Sequence, residues 1–135
     1  MKILKNISAF MILFSLMMLV SCEYEFIEIA APTPPDPNDT TIDTVSFSAE
    51  IEPIFAASSC TNCHSNSGAT AGLNLSSGSA YNSITSNGLV VAGDPDASKI
   101  YYYPNPVTGT HNTKYGSNDD ADLIYLWIYQ GALDN

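Results

Sequence analysis

One segment decides how much of this chain can build a core. Ala30 to Thr44 reads AAPTPPDPNDTTIDT, with four Pro among Asp, Asn and Thr and almost nothing apolar. Such a stretch favours extended, polyproline-like backbone and has too little apolar surface to offset the entropy of ordering it. It reads as a tether. The chain then divides into 1–21 as an address segment, 22–44 as a tether headed by Cys22, and 45–135 as one small domain. About 90 residues make one domain and not two, and a chain that short has trouble burying enough apolar surface unaided.

Ahead of the tether, Lys2 and Lys5 precede a charge-free apolar run from Ile7 to Val20. That is the charged start and short apolar core of a secretory signal. A spanning helix needs about 20 apolar residues, so the run is marginal for one. It ends in Leu19-Val20-Ser21-Cys22, which resembles the lipobox of bacterial lipoproteins. The resemblance implies that Cys22 is lipidated and becomes the new N-terminus, with the chain held at a membrane of the cell envelope by acyl chains. An ordinary signal with a chance cysteine, or an uncleaved anchor, is the alternative. Glu23, Glu25 and Glu28 resemble signals that send some lipoproteins to the outer cell face, but a solvated acidic tether explains them equally. Periplasmic and surface-facing positions on the outer membrane therefore both stay open. Asp39-Thr40-Thr41 and Asp43-Thr44-Val45 weakly resemble O-glycosylation acceptors of bacterial surface proteins.

Charge narrows the partners. Fourteen Asp and Glu stand against four Lys and no Arg, a net charge of −10. An acidic, Arg-free body cannot neutralise a phosphate backbone, which excludes nucleic acid as a partner class. It cannot dock electrostatically on anionic lipid either. The balance suits partner proteins with basic docking faces.

Within 45–135 the helical signals are short. Phe47, Ile51, Ile54 and Phe55 fall at helical spacing with Ser46 or Ser48 as cap, and Pro53 should bend or shorten that helix. A second helix is expected over Ser79 to Thr85 with Tyr81 and Ile84 inward, and a third over Asp119 to Gln130 carrying Leu123, Ile124, Trp127 and Ile128. Asp119, Asp120 and Asp122 suit the positive end of the third, Gly131 its stop, and Asn118-Asp119-Asp120 its cap. Gly, Ser, Asn and Pro fill the intervals, without strand-type alternation. The expected class is all-α, three or so short helices with long loops, and loops that long need something to pack against.

Cys60-Thr61-Asn62-Cys63-His64 names what that could be. C-x-x-C-H is the attachment sequence for a c-type haem. Two thiols at that spacing add across the porphyrin vinyl groups, and the adjacent imidazole reaches the iron as proximal ligand. One covalent haem c on Cys60 and Cys63, with His64 on the iron, would also supply buried apolar mass. Attachment outside the cytoplasm agrees with an exported chain. Three rival readings carry less. A Cys60–Cys63 disulfide has no use for His64 and closes too small a loop to stabilise much. A thioredoxin-like pair wants a βαβ setting. Zinc would have to draw on Cys60, Cys63, His64 and His111, whose spacing is not that of a finger.

The resemblance widens beyond the motif. Phe47-x-x-x-Ile51-x-Pro53-Ile54-Phe55 ahead of the cysteines resembles the opening of many exported bacterial cytochromes c. Gly72-Leu73-Asn74-Leu75, Val91-x-Gly93-Asp94-Pro95-x-x-Ser98 and Ile124-x-x-Trp127-Ile128-x-x-Gly131-Ala132-x-x-Asn135 are similar to later parts of the same domains. The resemblance implies a small cytochrome c-like fold. Its first and last helices would cross at Ile51, Phe55, Leu123 and Trp127, and the haem would sit in a loop-built pocket.

The distal side departs from that family. Its usual second ligand is a downstream Met, yet all four Met stand at positions 1, 11, 17 and 18, in the address segment. Against the family's H-x-M-P-x-G, Thr113 stands where Met would be and Lys114 where Pro would be. His111, the only other His, is the leading candidate for the distal ligand. Lys114 or another side chain, and an open or water-bound iron, are the alternatives. Tyr101, Tyr102 and Tyr103 form an aromatic run that either packs or touches the haem, where a hydroxyl could bond a propionate. Asp94-Pro95-Asp96 fits a turn before Ser98 better than a calcium site. The expected function is membrane-anchored electron transfer by a monohaem carrier, not an enzyme. The alternative is a haem-based ligand sensor or peroxidase-like protein with an open distal site, which the absence of Arg disfavours.

Overall fold

The computed structural model describes residues 43–135; the address segment, Cys22 and nearly all of the tether lie outside the described residues. Asp43 and Thr44 are exposed, and burial starts at Val45. Ser46 then caps the first helix, its hydroxyl accepting from Ala49 N at 3.3 Å, while the Glu50 carboxylate accepts from Ser46 N at 2.7 Å. Two orphan amide donors are satisfied at one helix start.

This helix opens as a π-helical turn, Phe47–Ile51, and continues as α1, Glu52–Ala57. Pro53 explains the change of pitch. It has no N–H to give, and its ring presses on the carbonyl one turn back. Widening the preceding turn, so that Glu52 N reaches Phe47 O, puts Pro53 in the first turn of α1, where no donor is needed. The bend or shortening expected from the sequence is realised as this local widening.

Three more helices follow: α2, Ala80–Ser86; α3, Lys99–Tyr102; and α4, Asn118–Tyr129. On α2, Ile84 is fully buried and Tyr81 partly so. The single turn α3 was not expected, because four residues rich in tyrosine leave no helical period to read. The cap of α4 is a correction of one residue. Ser117 accepts from Asp120 N at 3.1 Å, and Asn118, Asp119 and Asp120 lie in the first turn, where negative charge meets the helix dipole. Gly131 does end α4, with φ +104°. Its N–H bonds Ile128 O and that of Ala132 bonds Trp127 O, the paired bonds of a Schellman stop.

The fold is small and mostly α. Its only sheet among the described residues is an antiparallel pair, β1 His64–Ser65 and β2 Gly68–Ala69, with His64 opposite Ala69. Two-residue strands are too short to show alternation, so no residue pattern announces them. Among the described residues no helix is long and apolar enough to cross a membrane.

The first and last helices pack together around aromatic rings. Phe47 lies 5.1 Å from Trp127 and 5.2 Å from Tyr81, centroid to centroid. Ile51 and Phe55 are fully buried and Trp127 nearly so. Leu123 only edges this contact; the face of α4 that packs inward is Ala121, Ile124, Leu126, Trp127 and Ile128. Asn135 locks the arrangement: its side chain accepts from Phe47 N at 2.8 Å and donates to Val45 O, while its backbone oxygen accepts from Ser48 N at 2.9 Å. The sequence pattern that ends in Asn135 thus acts on the start of the domain.

Candidate functional site

Ser59, at φ 60°, turns the chain out of α1 in a left-handed conformation and delivers a tight 3-10 turn, Cys60–Asn62. The turn closes with Cys63 N on Cys60 O at 3.2 Å. Cys60 is half-buried against the core and Cys63 is exposed; both thiols are free. Burial pushes the Cys60 thiol above its ordinary pKa, a backbone hydrogen bond opposing it in part.

His64 follows on β1. Thr70 N bonds Cys63 O at 3.1 Å, and Leu75 N bonds His64 O at 2.8 Å, so a short return of chain holds the histidine from both sides. Its Nδ1 lies 3.1 Å from Thr70 O. A carbonyl only accepts, so Nδ1 carries the hydrogen and the lone pair is left on Nε2. That tautomer is ready to bind a metal, with the carbonyl orienting the ring.

His111 comes from the loop between α3 and α4. Its N–H bonds Tyr103 O at 3.0 Å, and Gly109 N bonds Asn105 O at 3.0 Å. Asn105 folds the loop by accepting from both Val107 N and Thr108 N. The loop then closes on Tyr115, a buried ring whose N–H bonds Pro104 O and whose hydroxyl donates to Ile100 O. Gly116 N reaches back to Ser58 Oγ at 3.1 Å, two residues before the first motif cysteine. His111 Nδ1 lies 2.6 Å from Thr113 O and 3.2 Å from Thr113 N. Thr113 N–H donates to Nδ1 while the Thr113 carbonyl closes on the same nitrogen, so the Thr113 backbone fixes the ring at Nδ1, and Nε2 has no hydrogen-bond partner among the described residues. Thr113, standing where the family has Met, serves this chain as the backbone partner of the histidine.

These bonds bring the two histidines together, their ring centroids 6.2 Å apart with planes at 38°. Imidazole nitrogens sit about 2 Å from a bound metal, so two rings flanking one ion have centroids about 6 Å apart. Among the described residues no three His, Cys, Asp or Glu side chains group to hold a metal ion. Haem asks the protein for two axial donors besides the two thioether cysteines. The free thiols, the two Nε2 atoms and the ring separation fit that demand.

Tyr103 stands edge-on to His111, centroids 5.1 Å apart, and Lys99 Nζ lies 5.1 Å from the centre of the Tyr103 ring. Lys114 Nζ donates to Pro106 O at 3.4 Å. Lys99 and Lys114 are the only basic side chains after residue 43, apart from the two histidines, and both belong to the surroundings of His111. Their gathering there was not foreseen, because positions 99 and 114 meet only through the loop. Tyr101 and Tyr102 turn elsewhere: Tyr101 packs against Tyr125 at 5.4 Å, and Tyr102 is exposed. The Asp94 turn is present, Asp94 Oδ1 accepting from Ala97 N at 3.1 Å. Ser98, fully buried, donates to Asp94 O and accepts from Val91 N.

A model of the family described as Planctomycete cytochrome C matches residues 60–103, from the first motif cysteine to the end of the tyrosine run. No curated protein and no solved structure compared with the chain matches it. The match stops before the loop that carries His111. What the similarity over 60–103 supports is a c-type cytochrome-like domain.

Proposed function

We propose that this chain is a lipid-anchored monohaem c-type cytochrome that carries electrons at the cell envelope, with His64 and His111 as its axial ligands. The observation that carries the reading is the pair of imidazoles 6.2 Å apart, each with Nδ1 directed at a backbone carbonyl, beside two free thiols. The family similarity over 60–103 supports the cofactor. Cys60 and Cys63 would hold one haem by thioethers, and the haem would supply the one-electron chemistry. The protein's own groups orient the two rings and shield the Cys60 side within the core, and Lys99 and Lys114, the only Lys after residue 43, would be available to neutralise haem carboxylates. Ligation by two imidazoles fills both axial positions and lowers the potential relative to a thioether ligand. Cys22 would anchor the chain by lipid, and the Pro-rich segment would let the domain reach redox partners on the periplasmic or outer face.

The test is the absorption spectrum of the full chain matured with c-type haem, beside His111→Ala. A low-spin ferrous spectrum that turns high-spin in the variant is expected. A parent that is already high-spin and binds carbon monoxide rapidly, with His111→Ala changing nothing, overturns the carrier reading in favour of an open-site sensor or peroxidase-like protein. Native protein without a haem mass increment removes both.

A further inference from the structure

Three tyrosine rings pair with one another and with neither histidine among the described residues. Tyr101 meets Tyr125 edge-on at 5.4 Å, and Tyr125 lies parallel to Tyr129, planes 8° apart with centroids at 6.5 Å. The three rings run from α3 along the outer side of α4, and Tyr129 is 37% exposed. Gly93 N bonds Ile128 O at 2.8 Å, which pins the Asp94–Ala97 turn against the same end of α4. Beside Tyr101 opens a cleft of about 90 Å³ lined by Asn105, Val107, Asn118 and Asp122. That volume suits one side-chain head group and excludes a haem. The carboxylates of Asp94 and Asp96 act on Tyr125, and those of Asp122 and Asp96 on Tyr101, each adding to burial in raising the phenol's pKa.

We propose that Tyr101, Tyr125 and Tyr129, together with Asp94, Asp96 and Asp122, form the docking face for a basic protein partner, and that the cleft seats one of its lysine or arginine side chains. The chemistry is that of a cation on aromatic faces with a carboxylate at the head group. The stem of such a side chain lies along Val107 while its charge reaches Asp122. Tyrosines that are already stacked lose little entropy on contact, which suits them as anchors. A second copy of the chain is a poor occupant, since it brings a net charge of −10 and only four Lys, two of them in its first five residues. The inference deepens the carrier reading and rests on it for the partner's redox role, while the surface chemistry stands independently.

The experiment is a nuclear magnetic resonance titration of the reduced, haem-loaded full chain with hexalysine at low salt. Ring signals of Tyr101, Tyr125 and Tyr129 and amides of Asp96 and Asp122 are expected to shift together. Combining Asp96→Asn with Asp122→Asn should weaken binding about fivefold or more, while Glu50→Gln with Asp134→Asn changes it less than about twofold. Shifts spread evenly over all acidic residues, or unchanged affinity in the Asp96/Asp122 variant, overturn the docking face. The mass and absorption spectrum of the full chain after c-type maturation separate the two readings: a chain that takes up no haem yet shows the localised shifts keeps the face and removes the carrier. A haem spectrum with no localised shifts does the reverse.

Discussion

His64 sits on a segment that folds through its own neighbours. Cys63 N closes on Cys60 O, Thr70 N on Cys63 O, Leu75 N on His64 O, and the imidazole itself on Thr70 O, all between residues 60 and 75. The His111 loop is held differently, by Tyr103 O just past the end of α3, by Tyr115 bonded to Ile100 O, and by Ser58 far back in the chain. The His64 segment closes through bonds within itself, whereas the His111 loop, beyond its local bond to Thr113, is also stitched to Ile100 on α3 and to Ser58. Damage to the first segment should therefore abolish the cofactor, and damage to the second should leave the cofactor attached but change its ligation.

The largest effect is expected from Cys60→Ser with Cys63→Ser. With no thiol left to add to the vinyl groups, covalent haem should vanish from the denatured protein's mass, whatever the state of the His111 loop. Persistence of the haem increment would mean that these cysteines are not the attachment points. The matching disruption of the other segment is Gly109→Ala. A methyl there would lie 2.5 Å from Asn105 N, Asn105 O and Tyr103 O, the carbonyl that fixes His111 N. Backbone must move, at a cost of about 1–3 kcal/mol. Haem mass should be unchanged while the low-spin spectrum gives way to a high-spin fraction.

That contrast also explains what was readable beforehand. The Cys60–His64 motif is local, so its spacing announced its chemistry, and the aromatic and aliphatic positions of the first and last helices announced their packing. Pro53 signalled a disturbance but not its form, because a widened turn and a kink obey the same missing donor. His111 stood out by elimination, as the only second His in a domain without Met. Its partner could not be read: the bond to Thr113 uses backbone atoms, which no side chain advertises. Nor could Ser58, Gly109 or Tyr115 be linked to it, since their contacts exist only once the loop has closed.

Tyr115→Phe sharpens the comparison through pH. The phenol is fully buried, and desolvation first, then Cys60 and Asp120, hold its pKa well above that of a free tyrosine. The neutral form is favoured in the folded state, so this stabilisation is complete below about pH 10, the unfolded value, and is lost as pH rises toward the folded one. At neutral pH the variant should be about 1–2 kcal/mol less stable, having lost the bond to Ile100 O. Above pH 10 that gap should shrink by about 1.4 kcal/mol for each pH unit, because only the parent has Tyr115 to ionise on unfolding. Denaturant melts at pH 7 and pH 11 measure it, and a gap that holds constant would contradict the burial of the hydroxyl.

The smallest expected effect is the most discriminating. Ser58→Ala removes the hydroxyl that accepts from Gly116 N, yet keeps the Ser58 carbonyl facing Cys60 Sγ at 3.8 Å. Gly116 is exposed, so water can take over its N–H and the loss should be only about 0.5–1 kcal/mol. Global melting would scarcely register it. Amide exchange would, because opening of the loop alone becomes easier by the same amount, about two- to fivefold in rate for Gly116 and its neighbours toward His111. Amides of residues 60–75 should keep their parent rates, since none of their bonds involves the hydroxyl. Equal acceleration in both segments would show that the two histidines are held by one cooperative unit, and the distinction between a locally folded and a stitched ligand would fall.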